Sequence, residues 1–307
     1  MTHTAIQERT PKPRDIPFPF PDDIDPQWIP GNPELAAMIN GASLTMPYLE
    51  PFLIRTMLEA ARDIDDPKVR DDVRAFNAQE GHHYKTHRRF NELLKGKRYP
   101  QLGAVEEAME ASYKKLSKKS MRTRLAYTAG FEAMTLGVTK WLIEERTKLF
   151  PKADSRVVSF ALWHMVEETE HKCVAHDAFA ALYPGTLRNY FARAYGVFHG
   201  SLDVMFFSRR GYIVMLKHEG QWQTLKGRLR LYRELLGFIR HVGPYLLRAA
   251  LPGHSPRAEK DPDWVLNWMA GYDQLPEGHV PLLDTDDPHM PVPFPYPTTT
   301  PATASAQ

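Results

Sequence analysis

Glu168 and His171 stand three residues apart in the stretch WHMVEETEHK, and Glu80 and His83 repeat that spacing in AQEGHHYKTH. On a helix, a separation of three brings two side chains to one face, one turn apart. A carboxylate and an imidazole so placed can grip a divalent cation. Either pair alone is weak evidence, because a chain with 13 histidines yields roughly one Glu-x-x-His match by chance. Two further acids strengthen the pattern. Glu50 in MPYLEPFLIRTM and Glu132 in TAGFEAMTLG each sit in an apolar or small-residue stretch, where an unpaired acid is expensive to bury.

The order along the chain is therefore Glu50, then Glu80 with His83, then Glu132, then Glu168 with His171. This is the ligand order of ferritin-like di-iron and di-manganese carboxylate bundles, with one contribution from each of four helices. Four carboxylates can neutralise and bridge two divalent ions, and imidazoles at the terminal positions favour iron, with manganese as the alternative, over magnesium or calcium. The cofactor expected is two Fe ions. His164 lies four residues before Glu168 and can add a third nitrogen; orienting a ligand is its other reading. His87, four after His83, competes for that place, although THRRFN has the polar look of a solvated face. His82 points away from His83. Glu167 and Glu170 fall on other sides of their helix and read as solvated charges, with scope for Glu167 to pair with a neighbouring Arg or Lys. Gln79 and Asp177 are candidates for orienting the imidazoles.

The elements that must position these groups read as helices between two proline-rich ends. Period-2 alternation is almost absent, so the fold class is all-α: a ferritin-like four-helix bundle with additional C-terminal helices. Residues 1–32 form a proline-rich arm, 33–272 one helical metal-binding domain, and 273–307 an extended or disordered tail. Within the domain, the four-helix core covers about 34–183 and the extra helices about 186–272. Pro47 and Pro51 either kink the first helix or fall in the first turn of a fresh one starting near Thr45. Asp66 followed by Pro67 starts the second. A short polar helix near 104–118 connects to the third, at roughly 120–148, and the fourth runs from 154 or 155 to about Tyr183.

The segments NPELAAMINGASLTMPYLEPFLIRTM, VRAFNAQEGHHYKTHRRFN and LWHMVEETEHKCVAHDAF resemble the bacterial family called predicted metal-dependent hydrolase, over roughly residues 32–183 and more weakly to about 270. The resemblance carries that family's Glu-x-x-His-x-x-x-His segment onto Glu80, His83 and His87. Its Glu-Glu-x-Glu-His-Lys segment falls on Glu167, Glu168, Glu170, His171 and Lys172. It implies a metal site more firmly than hydrolysis. A more distant likeness is to the di-iron p-aminobenzoate N-oxygenase group, whose His-x-x-x-Glu-x-x-His pattern matches His164, Glu168 and His171; it implies oxygen chemistry and carries no substrate.

Function follows from the ligands. The expected reading is a non-haem oxidase or oxygenase activating O2 on a hydrophobic or aromatic small molecule, with the electron donor unidentified. The alternatives are a dinuclear metal-dependent hydrolase and a metal-binding or storage bundle without catalysis. Residues 189–217 and 231–253 mix aromatic, aliphatic and Arg residues; they wall a greasy channel, touch a membrane interface peripherally, or simply pack a core with a basic outer face. His199 and His241 read as structural, Trp163, Trp141 and Met134 as core, and Cys173 as turned away from the metals. A homodimer is left open. A formal charge of +2 without a long basic run argues against nucleic acid, and no Gly-rich phosphate loop points to a nucleotide. The single cysteine, the lack of a secretory stretch and the lack of an apolar run of about 18 residues lead to the expectation of a cytoplasmic protein, membrane-associated at most.

Overall fold

The computed structural model describes residues 10–292, which are largely helical and contain no strand. The fold class is all-α. The opening segment makes two helices, α1 (Pro33–Ser43) and α2 (Met46–Ala60). Leu44 and Thr45 turn between them, their N–H groups donating back to Asn40 and Ala42. Pro47 lies in the first turn of α2, where no N–H is needed. Pro51 falls a turn further in, inside the helix, where it cannot donate back to Pro47.

Helix α3 (Pro67–Lys97) starts on Asp66, whose carboxylate accepts from the N–H groups of Lys68 and Val69. Helix α4 (Leu102–Leu116) buries Leu102, Val105, Met109, Tyr113 and Leu116. It is amphipathic, not merely polar, and its apolar residues recur every three to four positions. Ser120 caps α5 (Met121–Glu144), and a short α6 (Arg146–Leu149) completes the segment read as the end of the third helix. The fourth helix is also two: α7 (Ser155–His171) and α8 (Val174–Leu182). The break coincides with Lys172, a buried ammonium that donates to the Glu259 carbonyl at 2.7 Å and pairs with Asp261. Helices α9 (Leu187–His218), α10 (Leu225–Ala249) and α11 (Asp263–Tyr272) follow.

Helices α2, α3, α5 and α7 pack around one another and enclose the polar groups. Helix α9 lies along α5 and α1, and α10 rests on the same two helices. The α5–α9 crossing brings backbones into touch: a Cβ at Gly130 would meet the Gly196 backbone, and one at Gly196 would meet Ala126.

Residues 10–32 have no helix but are built into the core. Phe18 packs against Phe160 and Trp163, and Trp28 donates to Asn40 at 2.9 Å. Residues 273–292 likewise lack helix and bury Leu283 and Met290. The ends of the arm and tail, residues 1–9 and 293–307, lie outside the described residues. Among the described residues, no helix is long and apolar enough to cross a membrane.

Candidate metal centre

Glu50 comes from α2, Glu80, His83 and His87 from α3, Glu132 from α5, and His164, Glu168 and His171 from α7. All eight are buried, none more than 5% exposed. Their donor atoms fall into overlapping groups whose members lie within 4.8 Å of one another. One group contains Glu80, Glu132, Glu168 and His171; others contain His83, His164 and Glu168, then Glu50, Glu80 and His83, and Glu50, His87 and His164. Glu50, Glu80, His83, His164 and Glu168 each belong to two groups, so the groups form one continuous cluster with shared carboxylates. Glu168 joins two of them, with Oε1 2.8 Å from His164 Nε2 and Oε2 3.2 Å from His171 Nε2.

The polar bookkeeping does not close on protein atoms alone. Both carboxylate oxygens of Glu50, Glu80 and Glu132, and Nδ1 of His83, are buried without a hydrogen-bond partner. His171 Nε2 faces Glu80, Glu132 and Glu168 oxygens at 3.4, 3.3 and 3.2 Å, yet one nitrogen can donate only one proton. Burial and the Glu168 charge push Glu132 up to about 8. Burial and neighbouring carboxylates raise Glu50 and Glu80 well above the usual range. Burial works against ionisation of Glu168 too, but His171 and His164 outweigh it and hold its carboxyl well below the usual range. Four acids share one low-dielectric space, and without cations protons must neutralise most of them. Orphaned oxygens and in-facing imidazoles are the donor set that divalent cations fit.

The surroundings fix the imidazoles. Gln79 Oε1 accepts from His171 Nδ1 at 2.9 Å, while its amide nitrogen donates to Glu170 at 2.8 Å and to the Lys12 carbonyl at 3.2 Å. His171 Nε2 is thereby left for the centre. His83 Nε2 meets Glu167 Oε2 at 3.0 Å, so Nδ1 turns inward, 3.9 Å from Glu80 and 3.8 Å from Glu168. A third chain of bonds backs His164. Asn91 uses its amide nitrogen on the Ser43 carbonyl and its oxygen on the Ser43 hydroxyl proton. Ser43 Oγ then accepts from His87 Nδ1 at 2.8 Å, and His87 Nε2 accepts from His164 Nδ1 at 2.8 Å. This assignment of protons leaves His164 Nε2 facing Glu168 and Glu50. His87 spends its second nitrogen on His164.

Three expectations from spacing differ from the structure, at Glu167, Glu170 and Asp177; the Glu170 side chain is only 10% exposed and accepts from Arg14 and Gln79. Glu167 is not solvated: it is fully buried between His83 and Arg14, whose Nη1 donates to it at 3.1 Å. Arg14 also donates to Glu170 at 2.8 and 3.3 Å. Burial raises the Glu167 carboxyl to about 7 against the pull of Arg14. Asp177 does not reach an imidazole of the centre; it pairs with Arg257. His87, despite its polar neighbours in sequence, is buried. His82 lies outside the cluster, 3.3 Å from Asp15. His241 is exposed and bonds to the Gly237 carbonyl, and His199 packs between Tyr127 and Tyr195. Cys173 is half-buried and in none of the donor groups.

A cavity of about 460 Å³ ends on His87 and His164. Phe131, Met134 and Trp141 from α5 and Phe160 from α7 line it, and α9 and α10 close it with Leu202, Phe206 and Phe238. Trp141 and Met134 are thus cavity wall as well as core.

Comparison with known proteins fits this geometry. The chain has no significant match among curated proteins or among solved structures. The sequence model of one family, described as predicted metal-dependent hydrolase, matches residues 12–260, from the arm that carries Arg14 to beyond the end of α10. The chain belongs to the predicted metal-dependent hydrolase family.

Proposed function

We propose that the protein is a hydrolase with a dinuclear metal centre acting on a hydrophobic substrate, within a single helical domain over residues 33–272. Helices α2, α3, α5 and α7 form its ferritin-like four-helix unit. The observation that carries the reading is the set of orphaned carboxylate oxygens of Glu50, Glu80 and Glu132 around Glu168, in a cluster whose His164 also lines an apolar cavity. Glu80, Glu132, Glu168 and His171 would hold one cation; Glu50, His83 and His164 would hold the other, with Glu168 and Glu80 shared. When bound, such a pair supplies an acidified water as nucleophile and charge to hold the developing oxyanion. Everything else falls to the chain. Glu167, anchored by Arg14, keeps the proton of His83 on Nε2, and Gln79 keeps that of His171 on Nδ1. His87, fixed by Ser43, orients His164. The apolar walls position the substrate's greasy part and exclude bulk water.

A second reading is favoured by the donor set itself. Carboxylates with several imidazoles in a buried helical site suit iron, and with two Fe ions the same centre would oxidise a substrate with O2. One experiment separates the two. Purified protein is analysed for metal, stripped, and reloaded with zinc, manganese or, without air, Fe(II). Hydrolysis of p-nitrophenyl acyl esters by the zinc or manganese form supports the first reading. Oxygen uptake with new absorption bands in the Fe(II) form alone supports the second. A protein that fails to take up two metals in any form refutes both.

A further inference from the structure

The outer faces of α9 and α10 are unlike the rest of the surface. On α9, Leu187, Phe191, Tyr195, Phe198, Leu202 and Phe206 are all exposed, between 40% and 77%, and their spacing of three or four residues aligns them in one stripe. On α10, Leu225, Leu229, Tyr232, Leu236, Ile239 and Leu247 do the same, at 54% to 65% exposure. Both helices rest on α1 and α5, so the two stripes turn away from the same support. Scattered exposed apolar residues are ordinary, but two parallel runs of large ones mark an interaction surface.

Charge identifies the partner. Between residues 187 and 251 there are eleven Lys and Arg but only three Asp and Glu, while the whole chain has a formal charge of only +2. Of the acids, Glu234 neutralises only Arg233, at 2.7 Å, and Asp203 is engaged by Tyr127 at 3.0 Å, so the other bases stay in excess. Lys226, Arg228 and Arg240 are exposed beside the α10 stripe, and Arg209 continues the α9 stripe one turn on. A second copy meeting this face would set two strongly positive surfaces against each other. An anionic lipid surface instead offers acyl chains to the stripes and headgroup charge to the bases.

We propose that the α9–α10 face docks on anionic membranes and opens the cavity to the bilayer. Leu202 and Phe206 are exposed members of the α9 stripe and also line the cavity, with Arg209 beside them and Phe238 of α10 opposite. The path from the docked face to His164 is therefore continuous and apolar. A substrate with a long acyl or aromatic tail enters from the lipid phase along this path. The docking does not depend on the identity of the metal or on the reaction.

The test is sedimentation of the full-length, metal-loaded protein with vesicles, read without any activity assay. Vesicles of phosphatidylcholine with about 30% phosphatidylglycerol are expected to bind it at least about tenfold more tightly than phosphatidylcholine alone. Raising salt from about 0.1 M to about 1 M, which shortens screening from about 10 to about 3 Å, should release most of that preference. Leu229→Glu with Leu236→Glu, and separately Arg228→Glu with Arg240→Glu, should each weaken binding at least about tenfold. Circular dichroism and thermal melting check that these surface variants fold, and the salt series on the unaltered protein serves if one does not. Absence of binding to anionic vesicles overturns the proposal. A dimer in sedimentation velocity that the leucine variants dissociate, with no vesicle binding, assigns the face to a second copy and also overturns it.

Discussion

Arg14 to Met is the most informative single change. Arg14 is 4% exposed, and its guanidinium serves two carboxylates, Glu167 at 3.1 Å and Glu170 at 2.8 Å, while lying 5.9 Å from the Trp268 ring centre and 5.6 Å from that of Tyr272. Methionine keeps much of the packing volume and removes the charge. Glu167 then has no counter-ion, and deleting one partner of a buried pair costs up to about 3–5 kcal/mol, less where the stranded acid takes up a proton and neutralises itself. Because burial already raises Glu167 to about 7 with Arg14 in place, the variant acid will be protonated at neutral pH. Its proton then points at His83 Nε2, forcing the imidazole proton to Nδ1 and taking that nitrogen away from the metals. Loss of such an orienting partner lowers metal affinity about 10–100-fold. The assays are urea unfolding of the metal-free protein and calorimetric metal titration. The expected result is a midpoint shift equivalent to about 1–3 kcal/mol and weakened binding at one of two sites. Equal unfolding midpoints and two unchanged affinities would refute the account of Arg14, Glu167 and His83 as one relay.

Replacing Glu132 with Gln removes one carboxylate from the centre, so metal analysis should find fewer than two ions per chain, while the stripped variant melts no lower than the parent. Metal loading at neutral pH should release protons, because Glu50, Glu80 and Glu132 hold theirs when no cation is present; calorimetry in buffers of different ionisation enthalpy counts them. For the metal-free protein the sign is opposite to that of an ordinary salt-bridged acid. Glu132, raised from 4.5 to about 8, favours the folded state when protonated, so its contribution is largest in acid and is lost as pH rises from 4.5 to about 8. Denaturant midpoints of stripped protein across that window should therefore fall with pH, and those of metal-loaded protein should not. Gly130 to Ala puts a methyl group into the Gly196 backbone, an overpacking worth about 1–3 kcal/mol. It should lower the melting temperature and, through Glu132 two residues on, loosen metal binding.

The gathering of Glu50, Glu80, His83, Glu132, Glu168 and His171 at one place was legible because helical periodicity is local: spacing of three fixes a face, and an acid in an apolar stretch must turn inward. Helix starts at Asp66 and at Asp154 are readable for the same reason. What escaped was set by partners distant in sequence. Arg14 lies in a proline-rich arm 153 residues from Glu167, and no local pattern links them. A clue did exist in α7, whose Phe160, Trp163 and Val166 leave no polar side on which Glu167 could be solvated. The break after His171 carries neither Gly nor Pro; Lys172 is committed to Asp261 and the Glu259 carbonyl far along the chain. Helix α4 was misread as polar although its apolar period was present, because its many charged residues hid the buried stripe.

The threading of Arg14 under α7 also orders events during synthesis. At roughly 5–20 residues per second, its partner Glu167 leaves the ribosome roughly 8–30 s after Arg14 does. The leading segment must wait, unpaired, while the later helices are made. It emerges well before the helix it serves, so the imidazole it steadies becomes competent for metal only when the two ends of that long interval meet.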